Sequence, residues 1–467
     1  MGPRLRFLFL VFVVVFAAWI FVPVPALTAT VPPLSRPAAE PGLPWLSVRD
    51  GRIVDDAGRT VLLRGFNAGS LLESTMYPVA LDATDLSVMQ QSGFDVVRLP
   101  IAWSELEPQR GRFDDAYLDR IAAMVRELNV HGMYVVLDMH SLGWSPAYGG
   151  SGAPAWATLP YVPDIHFGPV STIGWLLSPA INASTTYFWI SRDWQSELLA
   201  TWRHVAARFR DDSGVAGYDV FNEPHALPLP PLRFDKDEVF PFYARAIDAI
   251  AAVDPNHLFF LDNDFAGDIP TWVVPIRAPN LVYAVHFYTG SLVPPLFTGD
   301  PLPLSVHVKE LAREAAQLPG ALWVGEFSID PARSGAPAWI RAALDNFEAH
   351  GAGWAWWQWR EIGVWGVRDA QGKFKDQLLR LLARPYVQAA PVGVISHHPG
   401  TPETTLQVDV KQTAGGSVVV AWPRYTAGTP QVRSSCSVPY TWDAATARLV
   451  IDVPTGSTCS VELTSGR

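Results

Sequence analysis

The chain has 467 residues, 49 % apolar and 17 % charged, enough for a large core and two to three domains. A formal net charge of −10 without any basic run speaks against nucleic acid as a partner. Nineteen Trp are many for the length; Trp either fills a large aromatic core or offers a flat face to sugars, and only position separates the two.

Arg4 and Arg6 precede an apolar run from Phe7 to Val22, with small residues near Ala26 and Ala29. Residues 1–29 read as a secretory signal, which places the protein outside the cell or on its surface. The run is long for a signal core and short for a spanning helix, so an uncleaved anchor stays open. Residues 30–44, rich in Pro and Ala, read as a flexible linker.

From Trp45 strand and helix patterns alternate. The strand signals are Leu62–Asn67, Asp95–Ile101, Met133–His140, Val215–Glu223, Leu258–Asp262, Leu281–Tyr288, Leu322–Phe327 and Gly353–Arg360. Amphipathic segments lie between most of them, and Phe374–Leu382 follows the last. Eight such units predict an α/β fold, a (β/α)8 TIM barrel over 45–386. An open dinucleotide-type sheet is the alternative, but Arg64-Gly65-Phe66-Asn67 lacks its glycine-rich turn. Two long segments, Ser141–Thr186 and Ser291–Ser305, would be loops over the barrel mouth. Residues 387–403 read as a linker around Pro391. Short alternating strands over 404–467 predict a small C-terminal antiparallel β-sandwich. Cys436 and Cys459 both fall there and, in an exported chain, would form one disulfide; two buried thiols are the alternative.

Two apolar strands stop at a glutamate: Tyr218-Asp219-Val220-Phe221-Asn222-Glu223 and Leu322-Trp323-Val324-Gly325-Glu326. Barrel strands 4 and 7 would bring these ends together, as retaining glycosidases require of two carboxylates. Glu223 is then the acid/base, its pKa raised by the negative partner, and Glu326 the nucleophile, kept ionised by Tyr288 and Arg98. Two unrelated helix-capping glutamates are the structural alternative. Asn222 suits the sugar 2-OH. Arg98 needs a buried carboxylate, for which Glu326 is available. Asp138 and His140 end strand 3; His286 and Tyr288 end strand 6 and share a face. Strand 8 carries Trp354, Trp356, Trp357 and Trp359, at least one of which should reach the mouth as a sugar platform. Trp103 is a second platform or part of the barrel wall. No metal motif is present, so neither metal nor other cofactor is expected.

In this order, Leu63-Arg64-Gly65-Phe66-Asn67, Arg98-Leu99-Pro100, Asp138-Met139-His140, Asn222-Glu223-Pro224, His286-Phe287-Tyr288, Gly325-Glu326 and the strand-8 tryptophans resemble glycoside hydrolase family 5. The resemblance implies Glu223 as acid/base and Glu326 as nucleophile, surrounded by Arg98, His140, Asn222, His286, Tyr288 and Trp357, with Trp359 the second choice for the tryptophan. Asp138-Met139-His140, Gly152-Ala153-Pro154-Ala155-Trp156-Ala157 and Arg384-Pro385-Tyr386 are similar to the endoglycoceramidase-related branch. That branch implies hydrolysis between glycan and ceramide of a glycosphingolipid, by a monomer touching a membrane or micelle through apolar loops. Ser141-Leu142 and His225-Ala226-Leu227 depart from the branch pattern. They leave open glucose or galactose as first sugar, and ceramide or sterol as aglycone. A β-1,4-glucan or mannan endo-hydrolase is the rival enzyme, and a non-catalytic glycolipid-binding protein the rival of another class.

Overall fold

The computed structural model describes residues 25–72, 80–165, 178–226, 231–263, 272–291, 301–361, 363–398, 404–411 and 415–466. The apolar N-terminal run lies outside them. Eight parallel strands close into a barrel. They are β1 (Arg64–Asn67), β2 (Val96–Ile101), β3 (Tyr134–Met139), β4 (Val215–Asp219), β5 (Leu258–Leu261), β6 (Leu281–Phe287), β7 (Ala321–Phe327) and β8 (Gly353–Trp356). All eight expected strands are present, but several end earlier than the apolar runs suggest. β4 stops at Asp219, so Glu223 lies beyond the ladder, and β8 stops at Trp356.

Each strand is buried on both faces, inward by the barrel and outward by helices, which is why the sequences run nearly continuously apolar. Gly65 in β1 is needed for close approach: a Cβ there would lie 1.7 Å from the Val96 carbonyl oxygen. The surrounding helices include α1 (Ala83–Gln91), α2 (Asp115–Val130), α3 (Pro179–Ile190), α4 (Arg192–Phe209), α5 (Phe240–Ala251), α6 (Pro301–Gln317), α7 (Ala336–Ala349) and α8 (Asp376–Leu382). α2 illustrates why they form. Asp114 caps its first turn, and Tyr117, Leu118, Ile121, Ala122, Val125 and Leu128 make one buried stripe at helical spacing. α3 begins inside the segment 141–186 read as loop and runs past its end; Ser178 caps it and Pro179 starts it.

The barrel interior is layered. Val96, Val136, Phe260, Ala284 and Trp323 fill its lower part, and Leu43, Leu46 and Ile53 of the N-terminal segment close the floor. One alternation step toward the C-terminal ends, the inward residues on β2, β3 and β6 become Arg98, Asp138 and His286. The apolar floor thus carries a polar layer at the mouth.

Two sequence-based boundaries need correction. Residues 30–44 are not a free linker. Thr30 N donates to Asp248 Oδ1, Ser35 N to Asn256 Oδ1, and Arg36 Nη2 to the carbonyls of Leu46 and Asn256. Prolines give this arm an extended course, and side chains of the barrel satisfy its backbone. Residues 387–403 are not a linker throughout. β9 (Tyr386–Ala390) and β10 (Val394–His397) flank Pro391, and residues 399–403 lie outside the described residues. β9 sits between Thr60–Val61 and Gly416–Ala421, so one seven-stranded sheet joins the N-terminal hairpin to the C-terminal domain. A four-stranded sheet packs against it over Val408, Val410, Val420, Trp422, Ile451 and Val461. Cys436 and Cys459 are disulfide-bonded there, with Cα atoms 5.7 Å apart.

At the seam, Glu348 on α7 gathers two guanidinium groups and an imidazole: Arg64 Nη2 at 3.1 Å, Arg384 Nη2 at 3.2 Å and His398 Nε2 at 3.6 Å. Burial raises the Glu348 carboxyl, but Arg64, His398 and Arg384 outweigh it and leave its pKa lowered. The Arg64 guanidinium lies 4.2 Å from the Tyr386 ring centre.

Candidate active site

Arg98 organises the mouth. It is fully buried on β2, and its fork is saturated. Nε donates to Asp219 Oδ2 at 2.8 Å, Nη2 to Asn222 Oδ1 at 2.9 Å, and Nη1 to Glu326 Oε1 at 2.8 Å and Asn67 Oδ1 at 3.1 Å. Asp138 Oδ2 lies 3.0 Å from Nη1. Burial works against the charge, but Asp138, Asp219 and Glu326 outweigh it and hold the guanidinium charged. Only a planar, always-charged group can serve that many acceptors in one plane.

Glu326 lies near the end of β7, where the β7–β8 register shifts between Val324 and Phe327. A matching shift between Val285 and His286 on β6 sets His286 opposite Glu326. Such bulges re-aim side chains at barrel rims. Both Glu326 oxygens accept charge-stabilising bonds, Oε1 from Arg98 and Oε2 from Tyr288 OH at 2.9 Å.

Glu223 has a different environment. Its backbone adopts φ 45°, unusual for a residue with a Cβ, and its backbone N donates to Asp262 Oδ2 at 2.8 Å. Oε1 lies 2.8 Å from His286 Nδ1. Among the described residues, no arginine or lysine forms an ion pair with this carboxyl. Burial raises its pKa to about 6, only partly offset by the charges of His140, His225 and Arg98. The expectation that the neighbouring carboxylate does this is corrected: desolvation is the main cause. Burial also holds the His286 imidazole down at about 3, so the ring is neutral.

The other sequence-derived residues divide. Asn222 accepts from Arg98 and donates through Nδ2 to the Ser141 carbonyl at 3.0 Å. His140 Nδ1 lies 2.8 Å from Asp138 Oδ2, and the His140 ring stacks on Trp357, centres 5.3 Å apart and 10° from parallel. Trp357 is therefore at the site. Trp359 is not. It is fully buried, donates through Nε1 to Asp85 Oδ1 of α1 at 2.8 Å, and packs edge-on against Phe66. The reading of Trp359 as a substrate residue is corrected: strand alternation was extended past Trp356, where β8 has already ended. Trp103 likewise belongs to the wall, bonded to Glu107 and packed on Trp156.

Three participants escaped the sequence reading. Asn67 binds Arg98 and the Gly325 carbonyl. Asp219 lies inside β4, and burial raises its pKa. Asp262 directly follows β5. Each is a polar residue in or just after an apolar strand, the same signal that found the glutamates.

One oxygen each of Glu223 and Glu326 and one His286 ring nitrogen lie within 4.8 Å of one another. These are the groups among the described residues whose donor atoms come close enough for a metal ion. A carboxyl pair this close leaves no space for an attacking water between them. Inversion needs about 6.5–9.5 Å and retention about 5 Å. Fold and site together define a retaining glycoside hydrolase.

The chain belongs to glycosyl hydrolase family 5, whose cellulase model matches residues 54–363. It is 28 % identical over 369 residues to endoglycoceramidase I of Rhodococcus hoagii (strain 103S), covering 72 % of this chain and 71 % of that one. The lactosyl-enzyme intermediate of endo-glycoceramidase II from Rhodococcus sp. superposes with a TM-score of 0.79 at 26 % identity, covering 89 % of this chain and 99 % of that one. The crystal structure of an endogalactoceramidase gives a TM-score of 0.76 at 28 % identity, with coverage of 91 % and 100 %.

Proposed function

We propose that this enzyme hydrolyses the β-glycosidic bond between the intact glycan and the ceramide of glycosphingolipids. Glu326 attacks the anomeric carbon while Glu223 protonates the oxygen that leaves with ceramide. Water, deprotonated by the same Glu223, then breaks the glycosyl ester and releases the glycan with retained configuration. The observation that carries the role assignment is the contrast between the two carboxyls. Glu326 accepts from the Arg98 guanidinium and the Tyr288 hydroxyl, while Glu223 has no arginine partner among the described residues and is raised by burial to about 6. Arg98, Asn222, His140, Asp138 and Trp357 hold the first sugar and the nucleophile in register.

The substrate class rests on the relatives, all three named for ceramide-linked glycans and one of them trapped as a lactosyl-enzyme. Tyr161, Ile165 and Ile190 expose 78 %, 47 % and 61 % of their surface within or directly after the long β3–β4 insertion. They suit contact with a lipid surface. The reading includes export to the cell exterior and action as a monomer.

The test is a panel of lactosylceramide, galactosylceramide, a steryl glucoside and carboxymethylcellulose, read for released glycan and aglycone. Intact lactose plus ceramide supports the proposal. Glucose plus sterol alone, or hydrolysis of the soluble polymer without detergent, would replace it.

A further inference from the structure

Asp262 is buried directly after β5 and touches both groups that set the state of Glu223. Its Oδ2 accepts the Glu223 backbone N–H at 2.8 Å and lies 3.3 Å from His286 Nε2. The next residue, Asn263, accepts the His286 backbone N–H through Oδ1 at 3.4 Å. That N–H lies where the β6–β7 register shifts, and it needs a partner outside the ladder. Tyr243 OH in turn holds the Asp262 carbonyl at 2.8 Å. Residues 262 and 263 thus bracket His286 at backbone and ring, and pin the one backbone turn, φ 45°, on which Glu223 stands.

We infer that Asp262 is the positioning residue of the acid/base: as a neutral carboxylic acid it donates to His286 Nε2, fixing the imidazole tautomer so that Nδ1–H points at Glu223 Oε1. The inference rests on the reading of Glu223 as acid/base. A neutral imidazole has one donor and one acceptor nitrogen. If Nε2 accepts from Asp262, Nδ1 must carry the hydrogen. With Nδ1–H on Oε1, the Glu223 proton sits on Oε2, where it serves the leaving oxygen. When the proton has gone, the same N–H stabilises the carboxylate that activates water. Oδ2 of Asp262 can do both jobs, its hydrogen on Nε2 and a lone pair on the Glu223 N–H. Of the groups facing Asp262, Asp219 and Glu223 disfavour a further negative charge, while Arg98, whose fork is bonded to other carboxylates, and the Glu223 N–H favour it. Burial is the largest cause and acts against the charge.

The test compares two substrates in variants of the whole enzyme: lactosylceramide, whose leaving oxygen needs the acid, and dinitrophenyl lactoside, whose leaving group does not. Asp262→Ala should lower kcat/KM on lactosylceramide by roughly 30-fold or more and on the activated glycoside by less than about 3-fold. Asp262→Asn, which keeps an uncharged donor and acceptor but on two different atoms, should restore part of the loss on lactosylceramide. It should also keep the alkaline limb of the pH profile, which Asp262→Ala displaces. Equal losses on both substrates, or Asp262→Asn as impaired as Asp262→Ala, overturn the inference. If Asp262→Ala does not fold, Asp262→Ser, too short to reach both partners, reads the same contrast. Glu223→Gln is run alongside. If it spares lactosylceramide, the acid/base assignment fails; if only the Asp262 contrast is missing, the positioning role fails.

Discussion

Glu223→Gln should abolish the acid/base function and yet stabilise the fold, in a pH-dependent way. The carboxyl is raised from an ordinary 4.5 to about 6, with burial as the leading cause, and its side chain is only 14 % exposed. A shift of that size corresponds to about 2 kcal/mol. Because the folded pKa lies above the unfolded one, the native state binds the proton more tightly. The fold therefore carries no penalty below about pH 4.5, loses stability as pH rises through 6, and bears the full cost above. Glutamine keeps the oxygen that faces His286 Nδ1 and removes the charge. At the entropy typical of a chain this long, about 2 kcal/mol is a rise in Tm of roughly 2 °C. Differential scanning calorimetry of both proteins at pH 4 and pH 7.5 should show no gain at the first and the full gain at the second. An equal shift at both pH values, or a loss at pH 7.5, would refute the burial of this carboxyl as the source of its raised pKa.

Other outcomes follow from the same contacts. Removing the hydroxyl that Glu326 Oε2 accepts, Tyr288→Phe should lower kcat/KM by roughly 10- to 100-fold with Tm little changed. Trp357→Ala should abolish most activity. Trp359→Phe should cost about 1–3 kcal/mol in denaturant unfolding, while kcat/KM stays within about 2-fold, since that ring contacts Asp85 and Phe66 rather than the mouth. Glu348→Gln leaves Arg64 and Arg384 short of their carboxylate and should cost about 3–5 kcal/mol near neutrality. The Glu348 pKa is lowered in the fold, so its contribution is present above the ordinary value of 4.5 and fades as pH falls. The cost of the variant should shrink accordingly toward pH 3.

The barrel and its catalytic pair were legible because parallel barrel strands are apolar on both faces. Against such runs Glu223, Glu326, Arg98 and His286 stand out, and each lies at the mouth. Asp219 and Asp262 stood out no less. Nothing in one sequence said which strand-end acids face the site, because β4 and β7 depart from simple alternation through register shifts and an extended exit. Trp359 was misplaced because β8 ends at Trp356, before alternation could carry it to the mouth. The cause of the raised Glu223 pKa could not be read at all, since burial is a property of packing. The seam between the domains was hidden because the pairing of β9 with Thr60–Val61 joins residues more than 300 positions apart.

The most direct test of the central claim is covalent trapping. The enzyme is incubated with a 2-deoxy-2-fluoro-lactosyl donor bearing an activated leaving group, then digested and read by mass spectrometry. The slowed second step should leave one lactosyl equivalent on the peptide containing Glu326, with loss of activity at the same rate as labelling. A label on Glu223, or inactivation with Glu326 unmodified, would contradict the assignment of nucleophile and acid/base.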